Sequence, residues 1–75
     1  MKIEIYGQTV CSYCNAAKAI CKANGFEYAY INLDGPEDKE ALERRVGQPI
    51  RSVPQIFVNN EYIGGYEAFK KFLTF

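Results

Sequence analysis

The chain has 75 residues, 48% apolar and 24% charged, and its nine basic residues balance nine acidic ones to a formal net charge of zero. That size suits one soluble globular domain over 1–75, burying about 60% of its unfolded surface. The charge balance argues against nucleic-acid binding, which calls for a basic excess, and no apolar run approaches the ~20 residues that span a bilayer.

Ile3 and Ile5 alternate with Lys2, Glu4 and Tyr6, which predicts a strand over Lys2–Tyr6 (β1) with one apolar face. Glu4 fits poorly if both faces are covered, and its neighbours in sequence offer no account of it. The charges in Met1-Lys2-Ile3-Glu4 leave no hydrophobic signal region. The expected location is therefore the cytoplasm, where thiols stay reduced and a close cysteine pair is more often catalytic than structural. Gly7-Gln8-Thr9 is a polar turn. Cys11-Ser12-Tyr13-Cys14 then opens an alanine-rich run, predicted to be helical from about Cys11 to Asn24 (α1), with Gly25 as its stop. Ala17, Ile20 and Cys21 form a stripe toward the core, and Asn15, Lys18 and Lys22 face water.

Phe26–Leu33 alternates again (β2), with Phe26, Tyr28 and Tyr30 on one side and Ala29, Ile31 and Leu33 on the other. Asp34-Gly35-Pro36-Glu37 supplies a cap, a proline for the first turn and an acid near the positive end of a helix. This second helix (α2) runs from about Pro36 through Leu42 and Val46 to a stop at Gly47, and its charge run, Glu37 to Arg45, reads as a solvated face. Gln48–Ser52 is a loop leading to Val53-Pro54. Gln55–Val58 (β3) and Glu61–Ile63 (β4) pair across Asn59-Asn60, a turn that tolerates positive φ. Gly64-Gly65 breaks the pattern. Tyr66–Thr74 closes with a helix (α3) whose Phe69, Phe72 and Leu73 share a face. The order βαβα followed by ββα implies a parallel pair joined by a right-handed crossover, extended by an antiparallel hairpin. The fold class is α/β: one mixed four-stranded sheet with helices on its faces.

Cys11 and Cys14 carry the chemistry. With three cysteines and no histidine, the chain cannot supply the four Cys or His ligands of a structural zinc site, so no metal site is expected. Two cysteines opening a helix in a βαβ setting point to thiol–disulfide exchange. Positions i and i+3 bring the two Cβ atoms close enough for a disulfide. Amides at a helix start lack intrahelical partners and stabilise a thiolate, so Cys11 is expected to have a depressed pKa and to be the nucleophile. Cys14, a turn inside the helix, is more sheltered and placed to attack a mixed disulfide on Cys11. Cys21 lies a further ~10 Å along the helix at 1.5 Å per residue. That exceeds the roughly 7 Å a disulfide spans, so Cys21 reads as a small buried apolar side chain. Tyr13 gives an apolar wall beside the cysteines. Taken alone, Pro54 is an ordinary strand-edge proline. Gly64-Gly65-Tyr66-Glu67 alone reads as a turn into the last helix, or else as a helix start facing an anionic ligand.

Taken together, Cys11-Ser12-Tyr13-Cys14, Ser52-Val53-Pro54-Gln55-Ile56-Phe57 and Ile63-Gly64-Gly65-Tyr66 resemble a glutaredoxin, most of all the small dithiol glutaredoxins of bacteria and their viruses. The resemblance covers nearly the whole chain in the right order. It implies a thioredoxin fold with strand order β2-β1-β3-β4, a cis Val53–Pro54 bond facing the cysteines, and glutathione as electron donor and co-substrate with no tightly bound cofactor. It places the nucleophile on Cys11 and the resolving thiol on Cys14. The Val53 backbone would pair with the cysteine portion of glutathione, with Tyr13 flanking it. The γ-glutamyl carboxylate would lie at the helix start near Gly65, Tyr66 and Glu67, and Arg51 near the glycine carboxylate. Disulfide-containing proteins such as a ribonucleotide reductase are the implied clients of a monomeric enzyme.

Three positions depart from the family pattern. Ser12 replaces a proline, returning an N–H and a hydroxyl. Gln8 stands where many relatives carry a lysine aimed at glutathione. Ala68 replaces an acidic or polar residue near the glutamyl amine. Weaker glutathione binding is the expected result. Two rival readings remain open at this point: a carrier that bridges a [2Fe–2S] cluster between two subunits through Cys11 and glutathione, and a redoxin fed by a thioredoxin reductase.

Overall fold

The computed structural model describes residues 1–74. Along these residues run β1 (Lys2–Gly7), α1 (Ser12–Asn24), β2 (Glu27–Asn32), α2 (Pro36–Val46), β3 (Gln55–Val58), β4 (Glu61–Gly64) and α3 (Tyr66–Leu73). The sheet has the order β2-β1-β3-β4. β1 pairs parallel with β2, Ile3 opposite Tyr28 and Ile5 opposite Tyr30. It pairs antiparallel with β3, Ile5 opposite Ile56. The expected thioredoxin-type α/β architecture is what the chain adopts.

Helix ends follow the local chemistry. Gly25 (φ +69°) and Gly47 (φ +87°) both take the left-handed conformation that stops α1 and α2. At the start of α2 the Gly35 N–H donates to Asp38 Oδ2 at 3.3 Å, and Pro36 occupies a position where its missing N–H costs nothing. The β3–β4 turn rests on Asn59 (φ 51°) and Asn60 (φ 69°), the geometry that fits a two-residue hairpin to the strand twist.

The two faces of the sheet carry separate cores. Ile3 and Ile5 of β1, Ile56 and Val58 of β3, Ala17 and Cys21 of α1 and Phe69 of α3 are buried together on one face. Phe26, Tyr28 and Tyr30 pack against the same cluster. Leu42 of α2, Ile50 and Phe57 form the second core, with Tyr6, Leu33, Val46 and Tyr62 against it. Alternation along β1 and β3 thus feeds both layers, and α1 and α3 lie opposite α2.

Four side chains differ from their expected settings. Ile20 is only half-buried. Lys18, expected in water, is half-buried with its ammonium 4.1 Å from the Tyr30 ring centroid. Phe72 stays 37% exposed while Phe69 is fully covered. The α3 stripe that meets the core is narrow, and Phe72 lies at its edge. Arg45 also departs from the solvated setting expected for the charge run of α2. Its guanidinium forks onto Glu4, with both N–H···O distances 2.9 Å. It also donates to the Tyr6 hydroxyl at 2.8 Å and lies 3.8 Å from the Phe57 ring centroid. This accounts for Glu4: the acid on the face covered by α2 meets its partner 41 residues away. Arg45 holds the Glu4 carboxyl below the usual carboxylate range, by hydrogen bonding first and by its charge, against the opposing effect of burial.

Candidate active site

β1 ends at Gly7, whose carbonyl accepts the Leu33 N–H at 2.8 Å. A side chain there would collide with its surroundings: a Cβ on Gly7 would stand 2.5 Å from Tyr30 Oη and 2.7 Å from Cys14 Sγ. The chain then leaves the sheet through exposed Gln8, Thr9 and Val10. Tyr30 Oη donates to the Gln8 carbonyl at 2.6 Å and ties this loop to β2, and burial pushes the Tyr30 phenol up.

The loop delivers Cys11 to the N-cap of α1, so the helix begins at Ser12, one residue after the expected start. Its Sγ accepts the Cys14 N–H at 3.1 Å, and its carbonyl accepts the Asn15 N–H at 3.0 Å. The sulfur therefore takes the place of a capping oxygen, meeting one of the amides a helix start leaves free. The Cα atoms of Cys11 and Cys14 are 5.2 Å apart and the two are disulfide-bonded. Cys11 remains half-exposed, whereas Cys14 is fully buried. Cys21 is free and buried on the core face of α1, and burial pushes its thiol up.

Beside the pair runs a groove of about 400 Å³, lined by Tyr13, Ser52, Val53, Pro54, Gly65, Tyr66, Glu67 and Ala68. Val53 and Pro54 of this lining are joined by a cis peptide bond. Gly65 approaches the Pro54 carbonyl closely enough that a Cβ there would stand 3.5 Å from it, in ordinary contact. Gly65 caps α3 with no side-chain hydrogen bond, so the helix-start amides near Tyr66 and Glu67 are left without a side-chain acceptor at the cap. The rings of Tyr13 and Tyr66 stand 5.3 Å apart at 35°, and Lys70 Nζ lies 5.2 Å from the Tyr66 ring.

Six of the residues singled out in the sequence thus line one groove: Tyr13, Val53, Pro54, Gly65, Tyr66 and Glu67. Arg51 does not. It lines a neighbouring cleft of about 380 Å³ together with Gln8, Gly35, Lys39 and Ile50. Ser52 and Val53 belong to both, so the two spaces adjoin. Sequence reasoning missed this cleft because Lys39 sits in a charge run that reads as solvated surface.

It also missed Gln55. This buried amide, 6% exposed, donates to the Ser52 carbonyl at 2.9 Å and accepts from the Tyr62 hydroxyl. It holds the backbone that enters the groove, and a polar residue at the head of a fully buried strand was the available signal. Among the described residues no group of three His, Cys, Asp or Glu side chains is arranged to hold a metal, and no helix is long and apolar enough to cross a membrane.

The comparisons with known proteins agree with this geometry. The family model described as Glutaredoxin matches residues 3–63. Glutaredoxin 1 of Escherichia coli (strain K12) is 36% identical over 75 residues, covering 92% of this chain and 88% of the relative. The glutaredoxin of Haemophilus influenzae is 37% identical over 76 residues, covering 93% and 87%. Among solved structures, reduced Escherichia coli glutaredoxin superposes with a TM-score of 0.83 at 34% identity, covering 97% of this chain and 93% of that one. A buckwheat glutaredoxin–glutathione complex gives 0.76 at 30% identity, covering 92% and 64%. The chain belongs to the glutaredoxin family, and its Cys11–Cys14 pair is a thiol–disulfide oxidoreductase couple.

Proposed function

We propose that the protein reduces glutathione mixed disulfides and protein disulfides with electrons from glutathione. The observation that carries this reading is the half-exposed Cys11 sulfur, accepting the Cys14 amide, next in the chain to a groove lined by Tyr13, Val53, Pro54, Gly65 and Tyr66. The Cys11 thiolate attacks the glutathione sulfur of a mixed disulfide. A Cys11–glutathione bond forms, and the client leaves as a thiolate that takes up a proton. A second glutathione thiolate then attacks the bound glutathione sulfur, releasing glutathione disulfide and restoring the Cys11 thiolate. With a protein disulfide the mixed disulfide forms on the client instead. Cys14 resolves it, leaving the Cys11–Cys14 bond for glutathione to reduce.

In this reading the Val53 backbone pairs with the cysteinyl part of glutathione and Pro54 shapes the floor beneath it. Tyr13 walls it. The free amides at Gly65, Tyr66 and Glu67 receive the γ-glutamyl carboxylate, and Arg51 reaches the glycine carboxylate from the adjoining cleft. A monomer of one domain, working in the cytoplasm on clients such as a ribonucleotide reductase, completes the proposal. The buckwheat relative, solved as a glutathione complex, supports the ligand class. Cys14 within disulfide reach of Cys11 supports a dithiol cycle.

The test is an NADPH-coupled assay on the hydroxyethyl–glutathione mixed disulfide and on a protein disulfide. It is run with glutathione plus glutathione reductase and, separately, with thioredoxin reductase. Cys11→Ser is expected to abolish both activities. Cys14→Ser is expected to keep the first and lose the second. Equal loss in the two variants would overturn the assigned roles, and turnover driven by thioredoxin reductase alone would overturn the electron donor.

A further inference from the structure

Val10 is bonded to the nucleophile and is 92% exposed. A single exposed aliphatic side chain is ordinary on a protein surface. Val10 differs in its position: it adjoins Cys11, yet it lines neither the groove nor the adjoining cleft. A ligand confined to those two spaces leaves Val10 in water. On the other side of Cys11, Tyr13 is 61% exposed. The segment Gln8 to Cys14 carries no charged residue, in a chain that is 24% charged overall. The chain on both sides of the reactive sulfur is therefore uncharged, with an exposed aliphatic side chain immediately before it. Val is β-branched and stiff at χ1, so covering it costs little conformational entropy.

We infer that Val10 is a docking and specificity residue for polypeptide clients, and that it favours those with an apolar residue beside the cysteine under attack. The inference rests on the proposed glutathione reaction. There glutathione fills the groove, and the departing thiol, the client, stands outside it. A small leaving thiol such as mercaptoethanol carries no apolar side chain to set against Val10; a peptide does. The step itself is unchanged: a Cys11–glutathione bond forms, the client–glutathione bond breaks, and the client thiolate leaves with the electron pair and is protonated by solvent. Val10 contributes by binding the client before that exchange.

The experiment compares wild type, Val10→Ser and Val10→Ile on three substrates: a glutathionylated cysteine peptide with leucine on both sides, the same peptide with serine on both sides, and the hydroxyethyl–glutathione mixed disulfide. Val10→Ser is expected to raise KM for the leucine peptide about fivefold, the scale of one partly buried aliphatic side chain. Its kcat on that peptide and its kinetics on the other two substrates should stay as in wild type, and Val10→Ile should restore the leucine-peptide KM. Unchanged leucine-peptide kinetics in Val10→Ser overturn the inference. So does an equal fall on all three substrates, which marks a general disturbance of Cys11. Wild type failing to turn over the hydroxyethyl substrate would instead sink the glutathione reading itself.

Discussion

Glu4 and Arg45 give one residue pair a pH signature. The Glu4 carboxyl is depressed in the folded protein, chiefly by the Arg45 hydrogen bond. A depressed carboxylate adds stability that is present above its unfolded pKa, about 4.3, and that is lost as pH falls through the folded value. Both side chains keep some solvent contact, at 31% for Arg45 and 21% for Glu4, so the contribution is about 1 kcal/mol. Glu4→Gln should therefore unfold at lower urea than wild type at pH 7, and the gap should close as the pH falls below the unfolded pKa and through the depressed folded one. A gap that stays constant across that range would show that the ion pair adds nothing. Local pattern could not reveal this pair. Glu4 reads as an anomaly in a strand and Arg45 as one more solvated charge. Their partnership depends on α2 crossing the sheet face above β1, which no short window of sequence encodes.

Among the elements, β1, β2 and α1 converge at Gly7. Tyr30 from β2 and Cys14 from α1 occupy the space that a Cβ would need. Gly7→Ala must push the tyrosine or the helix start away, at a cost of about 1–3 kcal/mol. Thermal melts of the oxidised variant should fall accordingly; a melt equal to wild type would mean that the elements part without strain. Element type and order were readable because the signals are local: alternation in β1 and β2, glycine stops at Gly25 and Gly47, paired asparagines in the hairpin. The groove was readable only in part. Tyr13, Val53, Pro54, Gly65, Tyr66 and Glu67 belong to motifs that the family resemblance brings together. Arg51 falls in the next cleft with Lys39, and Gln55 positions Ser52 through contacts that depend on the completed hairpin.

At the scale of the whole molecule, the described residues occupy 32 × 24 × 19 Å. α2 is held to its face by Leu42, Val46 and Arg45 over Phe57 and Tyr6. The sheet is shared by both cores, so loss of either exposes the other, and the proposed single domain should unfold in one step. Far-ultraviolet circular dichroism and tyrosine fluorescence should give the same urea midpoint. A separate, earlier loss of helical signal would show α2 leaving on its own and would break the one-domain reading. The fold class followed from element order because a βαβ crossover joined to a hairpin admits few sheet arrangements. The cis Val53–Pro54 bond was an implication of resemblance alone, since proline in isolation says nothing about its isomer.

The bond from the Cys14 amide to Cys11 sulfur has a consequence for how the molecule can be observed. A sulfur in a disulfide is a weak acceptor, whereas a thiolate grips the same N–H through charge. In the proposed cycle, each turnover tightens and slackens the first winding of α1. Solvent deuterium should enter the Cys14 amide more slowly in the reduced protein, so that a single backbone proton reports whether the cysteine pair is oxidised or reduced.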